Sequence, residues 1–391
     1  MAYFRKRGSN WSFTLELGKD IKTGKRKQKT AGGFRTKKEA QLAAAEIEKS
    51  LAEGTYVSET DLTLQQFAQE WLSLYRDNVK ESSYRIRKYE SACLLKVLGE
   101  KSKLKDITPR LYQQALSSLK NEGYAVKTIT GIHGTGRLIF RRALEFKLIK
   151  NDPTQYAKIP RAQKTIAELE AETEIPKYLE REELLLFLKT VSEKGSSDDY
   201  VIFLTLAYSG MRIGELCALK WRDIDFKTGV ISITKTYYNP ANKVTAYQIF
   251  TPKTKKSKRV IEIDQIVLQE LERHRARQNI IKMKHRALYH DQDFVFAKTD
   301  RYFGCPQYAK FIRTQMKKLL KLAGLNPNLT PHSLRHTHTS LLAEAGVGLE
   351  EIMERLGHAN DTITRNVYLH ITKTQKKEAA QKFSQLMQKV K

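Results

Sequence analysis

Cysteine is scarce in this chain of 391 residues: there are three, Cys93, Cys217 and Cys305. They lie far apart and match neither a disulfide framework nor a metal-ligand spacing, so they read as core or surface residues without chemistry. Long apolar runs are also missing. No stretch approaches the ~20 residues of a membrane-spanning helix, and the basic start Arg5-Lys6-Arg7 leads into no apolar signal region. Together these absences read as a reduced, cytoplasmic protein with no membrane partner. Acids are the third shortage, because 43 Asp and Glu face 70 Lys and Arg, giving a net charge of +27. A chain this basic is built to meet a polyanion, and nucleic acid is the commonest one. A merely solubilising surface charge is the alternative that composition leaves open.

Two or three domains are expected at this length. Residues 1–57 read as a small first module. Trp11–Leu17 alternates as a strand, Thr23-Gly24 marks a turn, and a second strand runs through Lys25–Thr30. A helix follows over Lys37–Glu48, with Thr36 as N-cap and Glu39 three residues on, a capping-box signature. Residues 1–38 hold twelve Lys or Arg against two acids, a local charge of +10. A short basic sheet backed by a helix can lay strands into a major groove, although lysines also protect an ordinary edge hairpin. Residues 62–160 read as all helical, over 62–72, 82–98, 109–121 and 126–146. Thr63 caps the first of these with Gln66, and Arg85, Arg87 and Lys88 are among the cations the helices expose. Residues 161–177 are polar and form a linker. Residues 178–391 make the last domain, mainly helical, with strands at 229–234, 246–250 and 258–263 around the polar turn Thr251–Ser257.

Chemistry concentrates near the end. His332 and Arg335 stand three apart in Thr330-Pro331-His332-Ser333-Leu334-Arg335, and His358 follows in Leu356-Gly357-His358. Tyr368 comes ten residues later, while Arg212 lies far upstream in Gly210-Met211-Arg212-Ile213-Gly214-Glu215-Leu216. Two arginines can clamp a phosphodiester bidentately, histidines can move or hold protons, and a tyrosine hydroxyl can attack phosphorus. A tyrosine between Val367 and Leu369 is by default a packing residue, and it is the accompanying set that argues otherwise. His336 and His338 fall outside the pattern and read as structural. Glu215 reads as a residue that orients basic side chains.

In order and wording these segments closely resemble the tyrosine recombinase (lambda integrase) family, phage or conjugative-element type. The resemblance implies a multidomain α+β chain. Its parts would be a three-stranded sheet plus helix that binds arm-type DNA over 1–57, and a helical core-binding domain over 62–160. A linker at 161–177 would join them to a mainly α catalytic domain with a small antiparallel sheet, over 178–391. It further implies that Tyr368 attacks the scissile phosphate to give a 3′-phosphotyrosine, with Arg212 and Arg335 holding the non-bridging oxygens. His332 would assist proton transfer, His358 would bond a phosphate oxygen, and a lysine on a hairpin would protonate the leaving 5′-oxygen. Lys253 is that lysine by context, with Lys255, Lys256 and Lys258 as competitors in the same turn. No metal, ATP or other cofactor is required. The implied partners are double-stranded DNA at arm and crossover sites and three further copies in a tetramer. An excisionase or host DNA-bending protein would be an accessory. The apolar face of 379–390, with Phe383, Leu386 and Met387, implies a tail helix that docks in cis or in trans. A chromosome-dimer resolvase, a type IB topoisomerase and a catalytically silent DNA-binding protein are the competing readings.

The basic first module generates a test. Deleting residues 1–57 should remove binding to distal arm sites and spare crossover-site binding and cleavage. Arm-site affinity of the full chain should fall steeply between roughly 50 and 200 mM salt, because neutralising phosphates releases counterions. Full arm-site affinity in the truncated protein, measured by binding titration, would overturn this reading of the module.

Overall fold

A computed structural model describes residues 2–19, 24, 26–53, 56, 61–160, 178–252, 257–357 and 368. The linker 161–177, the turn residues 253–256, His358 and the tail 379–390 lie outside the described residues. The chain divides into two compact units, Met1–Ala171 and Glu172–Lys391.

The first unit holds two separate apolar clusters. Strands β1 (Ala2–Arg7), β2 (Asn10–Lys19) and β3 (Arg26–Phe34) form an antiparallel sheet in the order β1-β2-β3. Helix α1 (Lys37–Ala52) packs Ala40 and Ala44 against Phe13 and Leu15 of β2. The alternation along β2 therefore sorts one face to the helix and leaves Ser12 and Thr14 on the other, where Thr14 pairs with Thr30 across the sheet at 3.1 Å. Thr36 caps α1 by accepting from the Glu39 amide at 3.2 Å. The Glu39 carboxylate reaches back to the amide of Arg35, one residue short of a reciprocal box.

Helices α2 (Leu64–Arg76), α3 (Glu81–Leu98), α4 (Pro109–Asn121) and α5 (Val126–Glu145) enclose the second cluster, centred on Phe67, Tyr112, Ile132 and Phe140. Here the Thr63–Gln66 capping box closes in both directions. Arg85 and Lys88 are exposed as expected, but Arg87 is not. It turns inward to donate to Glu90 at 2.8 Å and Thr135 at 3.0 Å, because the buried Glu90 carboxylate requires a cation.

The second unit packs α6 (Arg181–Lys194), α7 (Ser197–Ser209) and the one-turn α8 (Ile213–Cys217) with α9 (Gln265–Lys284) and α10 (Ala309–Leu322). Helices α11 (Pro331–Glu344) and α12 (Leu349–Leu356) follow among the described residues. Helix α7 is apolar nearly all round, as a helix through the centre of a core must be. Two small antiparallel sheets stand where one was expected. Strands β4 (Ile224–Asp225), β5 (Val230–Ile233) and β8 (Arg259–Glu262) form the first, while β6 (Thr236–Tyr238) and β7 (Gln248–Phe250) form a separate hairpin. The strands on either side of the Thr251–Ser257 turn thus belong to different sheets and do not pair as one hairpin. β5 takes β8 as its partner because Ile231 meets Ile261 over the core.

Close packing inside the helical cluster gives a measurable consequence. A Cβ at Gly136 in α5 would lie 2.3 Å from the Tyr112 hydroxyl and 3.3 Å from Leu94 Cδ2. Alanine normally gains about 1 kcal/mol over glycine within a helix, but overpacking costs about 1–3 kcal/mol. The clash should win because Tyr112 is fully buried. Gly136→Ala should lower stability in urea titration, and a rise toward the ordinary alanine gain would contradict this packing.

Candidate active site

Helix α7 ends at Gly210, which has φ +61° and adopts the left-handed conformation that suits glycine. A Cβ there would lie 2.6 Å from His338 Cδ2 and 2.8 Å from Leu356 Cδ2. The glycine is therefore demanded twice, by backbone conformation and by the approach of α11 and α12. Two residues on, Arg212 caps α8. Its amide donates to Glu215 Oε2 at 2.9 Å and its Nη1 to Oε1 at 2.9 Å, while the side chain stays 37% exposed. A helix start offers little help in holding an anion here, since α8 spans five residues and Glu215 occupies the Arg212 amide.

Arg335, by contrast, is 1% exposed. Its Nη1 donates to the Gly210 carbonyl at 2.7 Å and its Nη2 to the Leu356 carbonyl at 2.6 Å. One side chain on α11 thus holds the turn that precedes Arg212 and the turn that precedes His358. His332 stands exposed on the first turn of the same helix, its ring 4.7 Å from that of His336 in an edge-on arrangement. Tyr368 is half-buried against Ala343, Ile352 and Leu356, where α11 meets α12. Arg212, Arg335 and Tyr368 are therefore drawn to turns and helix ends that share Gly210 and Leu356. Lys253 and His358 lie outside the described residues, although Ser257 and Gly357 bring the described chain to within a few residues of each.

Two arginines that the motifs did not reveal complete the arrangement. Arg259 on β8 donates from Nη2 to Glu215 Oε2 at 2.9 Å and from Nε to the Arg355 carbonyl at 2.7 Å. Burial pushes the Glu215 carboxyl up, but hydrogen bonds and charge from Arg259, and then from Arg212, outweigh it and hold the group below the usual carboxylate range. Glu215 does orient basic side chains, as its motif position suggested. Arg355 on α12 donates to the carbonyls of Tyr208 (3.2 Å) and Glu262 (3.0 Å) and to His338 Nε2 (3.0 Å). With Nε2 accepting, the His338 proton sits on Nδ1 and goes to the Ala207 carbonyl at 2.9 Å. His338 is thus a buried, neutral structural residue. Arg259 was hidden in a lysine-rich run that reads as solvated, yet strand alternation places it on the inward side with Ile261 while Val260 faces out.

Residues 177–375 match the Phage integrase family, residues 2–51 an arm DNA-binding domain, and residues 63–120 the phage integrase N-terminal SAM-like domain. A tyrosine recombinase XerC-like protein of Caldanaerobacter subterraneus subsp. tengcongensis is 29% identical over 95% of each chain. The integrase of Staphylococcus phage L54a is 28% identical over 83% of this chain and 94% of its own. Among solved structures, the Tn1549 transposon integrase in complex with transposon right end DNA superposes with a TM-score of 0.65. That match has 23% identity and covers 82% of this chain and all of the other, which shows a shared fold.

The state of His338 carries a pH dependence. Burial, and then the charge of Arg355, push its pKa down to about 3 from an ordinary value near 6.5. Folding thus favours the neutral ring, so this contribution is complete above pH 6.5 and is lost as the unfolded chain takes up the proton below it. At pH 5 the loss is roughly 2 kcal/mol relative to pH 7. His338→Gln should flatten that part of the stability profile in denaturant titrations at both pH values. An unchanged pH slope in the variant would remove His338 as its source.

Proposed function

The chain belongs to the phage integrase family, and we propose that it is the site-specific integrase of a prophage or other mobile element, with Tyr368 as its nucleophile. The single observation that carries the assignment of residues is the Arg335 guanidinium bound to the Gly210 and Leu356 turns, with Tyr368 packed against the cluster of Ala343, Ile352 and Leu356. Those contacts gather sequence motifs more than 100 residues apart around one small volume.

In this reading the Tyr368 hydroxyl attacks the scissile phosphorus, forming a 3′-phosphotyrosine and releasing a 5′-hydroxyl. An ordinary tyrosine has pKa ≈ 10, so attack needs proton removal and a site of positive charge. Arg212 and Arg335 hold the non-bridging oxygens and stabilise charge in the transition state, and His358 bonds a phosphate oxygen. His332, exposed at the start of α11, assists proton transfer at the tyrosine. Lys253 donates a proton to the leaving 5′-oxygen. The covalent bond conserves the energy of the phosphodiester, so a 5′-hydroxyl from a second duplex can reverse the step without ATP or metal.

Exchange between two duplexes needs four cleavages, which supports a tetramer built on DNA. The basic module at 1–57 would bind arm sites and the helical module at 62–160 the crossover site. The linker 161–177 would let those modules and the catalytic domain 178–391 close around the duplex. An excisionase or a DNA-bending protein would set direction, in the cytoplasm where the element and chromosome meet. No described helix is long and apolar enough to cross a membrane. A topoisomerase with the same chemistry acts on one duplex, and joined products from two duplexes separate the two activities.

Tyr368→Phe should bind DNA normally and form no covalent adduct on a nicked suicide substrate. Adduct on the phenylalanine enzyme, seen by denaturing gel, would remove Tyr368 as nucleophile. Cleavage by the unaltered protein should persist in EDTA, whereas a strict metal requirement would mean a different chemistry.

A further inference from the structure

We propose that Arg259 is a positioning residue of the phosphate site, fixing Arg212 through Glu215 in register with the backbone at Ser257 and Arg355. The proposal rests on the reading of Arg212 as a phosphate clamp. Arg259 is a poor candidate for touching DNA itself, since Nε and both terminal nitrogens already donate to protein oxygens. Its guanidinium is spent on three segments at once. Nη2 and Nη1 donate to the two Glu215 oxygens at 2.9 and 3.3 Å, Nε donates to the Arg355 carbonyl at 2.7 Å, and Nη1 also lies 3.3 Å from the Ser257 carbonyl. Ser257 ends the lysine-rich turn, and Arg355 precedes His358 by three residues.

Charge explains why a second arginine is needed. Glu215 accepts from Arg212 through both the amide and Nη1. Alone, that pair would be neutral and would hold Arg212 against its own carboxylate. Arg259 supplies the compensating charge, so that the three groups together keep one net positive charge, and the exposed member that can offer it to a phosphate is Arg212. The planar fork matters as much as the charge. Only a guanidinium spans a carboxylate edge and a carbonyl on its other side; a lysine ammonium is a point donor.

The test is the single-turnover rate of covalent adduct formation by the full chain on a nicked half-site. The scissile phosphate is either native or a methylphosphonate, in which a methyl group replaces one charged oxygen. Arg212→Ala should slow native cleavage by roughly 10²–10³-fold and spare most of the methylphosphonate rate, because the neutral analogue needs less charge stabilisation. Arg259→Met should show the same phosphate-selective loss, on the order of 10–100-fold. In the Arg212→Ala background it should add little, since a residue acting through another is non-additive with it. Arg259→Lys keeps the charge and should recover only part of the native rate. Should the methionine variant fail to fold in a melting assay, the lysine variant carries the same comparison of substrates. Equal slowing on both substrates, or losses that multiply in the double variant, would overturn the positioning role while leaving Arg212 in place. An Arg212→Ala enzyme that loses both substrates equally would overturn the reading of Arg212, and the positioning role with it.

Discussion

One buried cation organises the catalytic unit. Arg335 places a guanidinium where water is excluded, which is costly, and recovers the cost through short bonds to the Gly210 and Leu356 carbonyls. Those carbonyls belong to helix ends, where the last carbonyls of a helix lack intrahelical partners. Both helices stop at a left-handed glycine, Gly210 and Gly357. The C-terminal ends of α7 and α12 therefore point negative partial charge at the same arginine. Remove the cation and the Gly210 and Leu356 carbonyls lose the partner they share. Stability is the lesser product of the arrangement, and the relative placement of two distant segments is the greater.

Scarcity of acids gains a structural meaning from this. Three carboxylates withdrawn from solvent are matched to bases: Glu90 to Arg87, Glu215 to Arg212 and Arg259, and the largely buried Asp223 to Lys235. The buried Asp199 is held by the amide and hydroxyl of Ser196. An acid that must be buried can draw a cation inward, as Arg87 shows. With 43 acids against 70 bases, most cations are left without such a duty. The surplus remains for the surface, where it provides a field that a polyanion can meet.

Much of the architecture was legible in the chain. Helices α2, α4 and α5 follow from apolar spacing of three and four, and the Thr63 box and the Pro109 start mark boundaries that the structure reproduces. Motif order singled out Arg212, Arg335 and Tyr368, and the structure sets them at or beside the turns around Gly210 and Leu356. What escaped notice was non-local. Nothing in Gln248–Phe250 or Arg259–Glu262 states that the two strands join different sheets, since their partners lie at 236–238 and 230–233. Arg87 looked like its neighbours Arg85 and Lys88, and only the buried Glu90 beside it separates them. Arg259 and Arg355 were invisible for the same reason: each acts on carbonyls or carboxylates that are remote in sequence.

Histidine shows how environment divides a single residue type. His332 and His338 lie on one helix six residues apart, and rotation about its axis sends the first to the surface and the second to the core. His338 spends both ring nitrogens, one on the Ala207 carbonyl and one on Arg355, and stays neutral. It cannot then add charge to the phosphate site. The positive charge at its centre falls to arginines, which do not lose their protons in the physiological range. In the proposed mechanism a fixed cationic frame of this kind would hold a developing phosphorane at any working pH. On the proposed chemistry, proton movement falls to an exposed group such as His332, close to the solvent that must accept and return the proton.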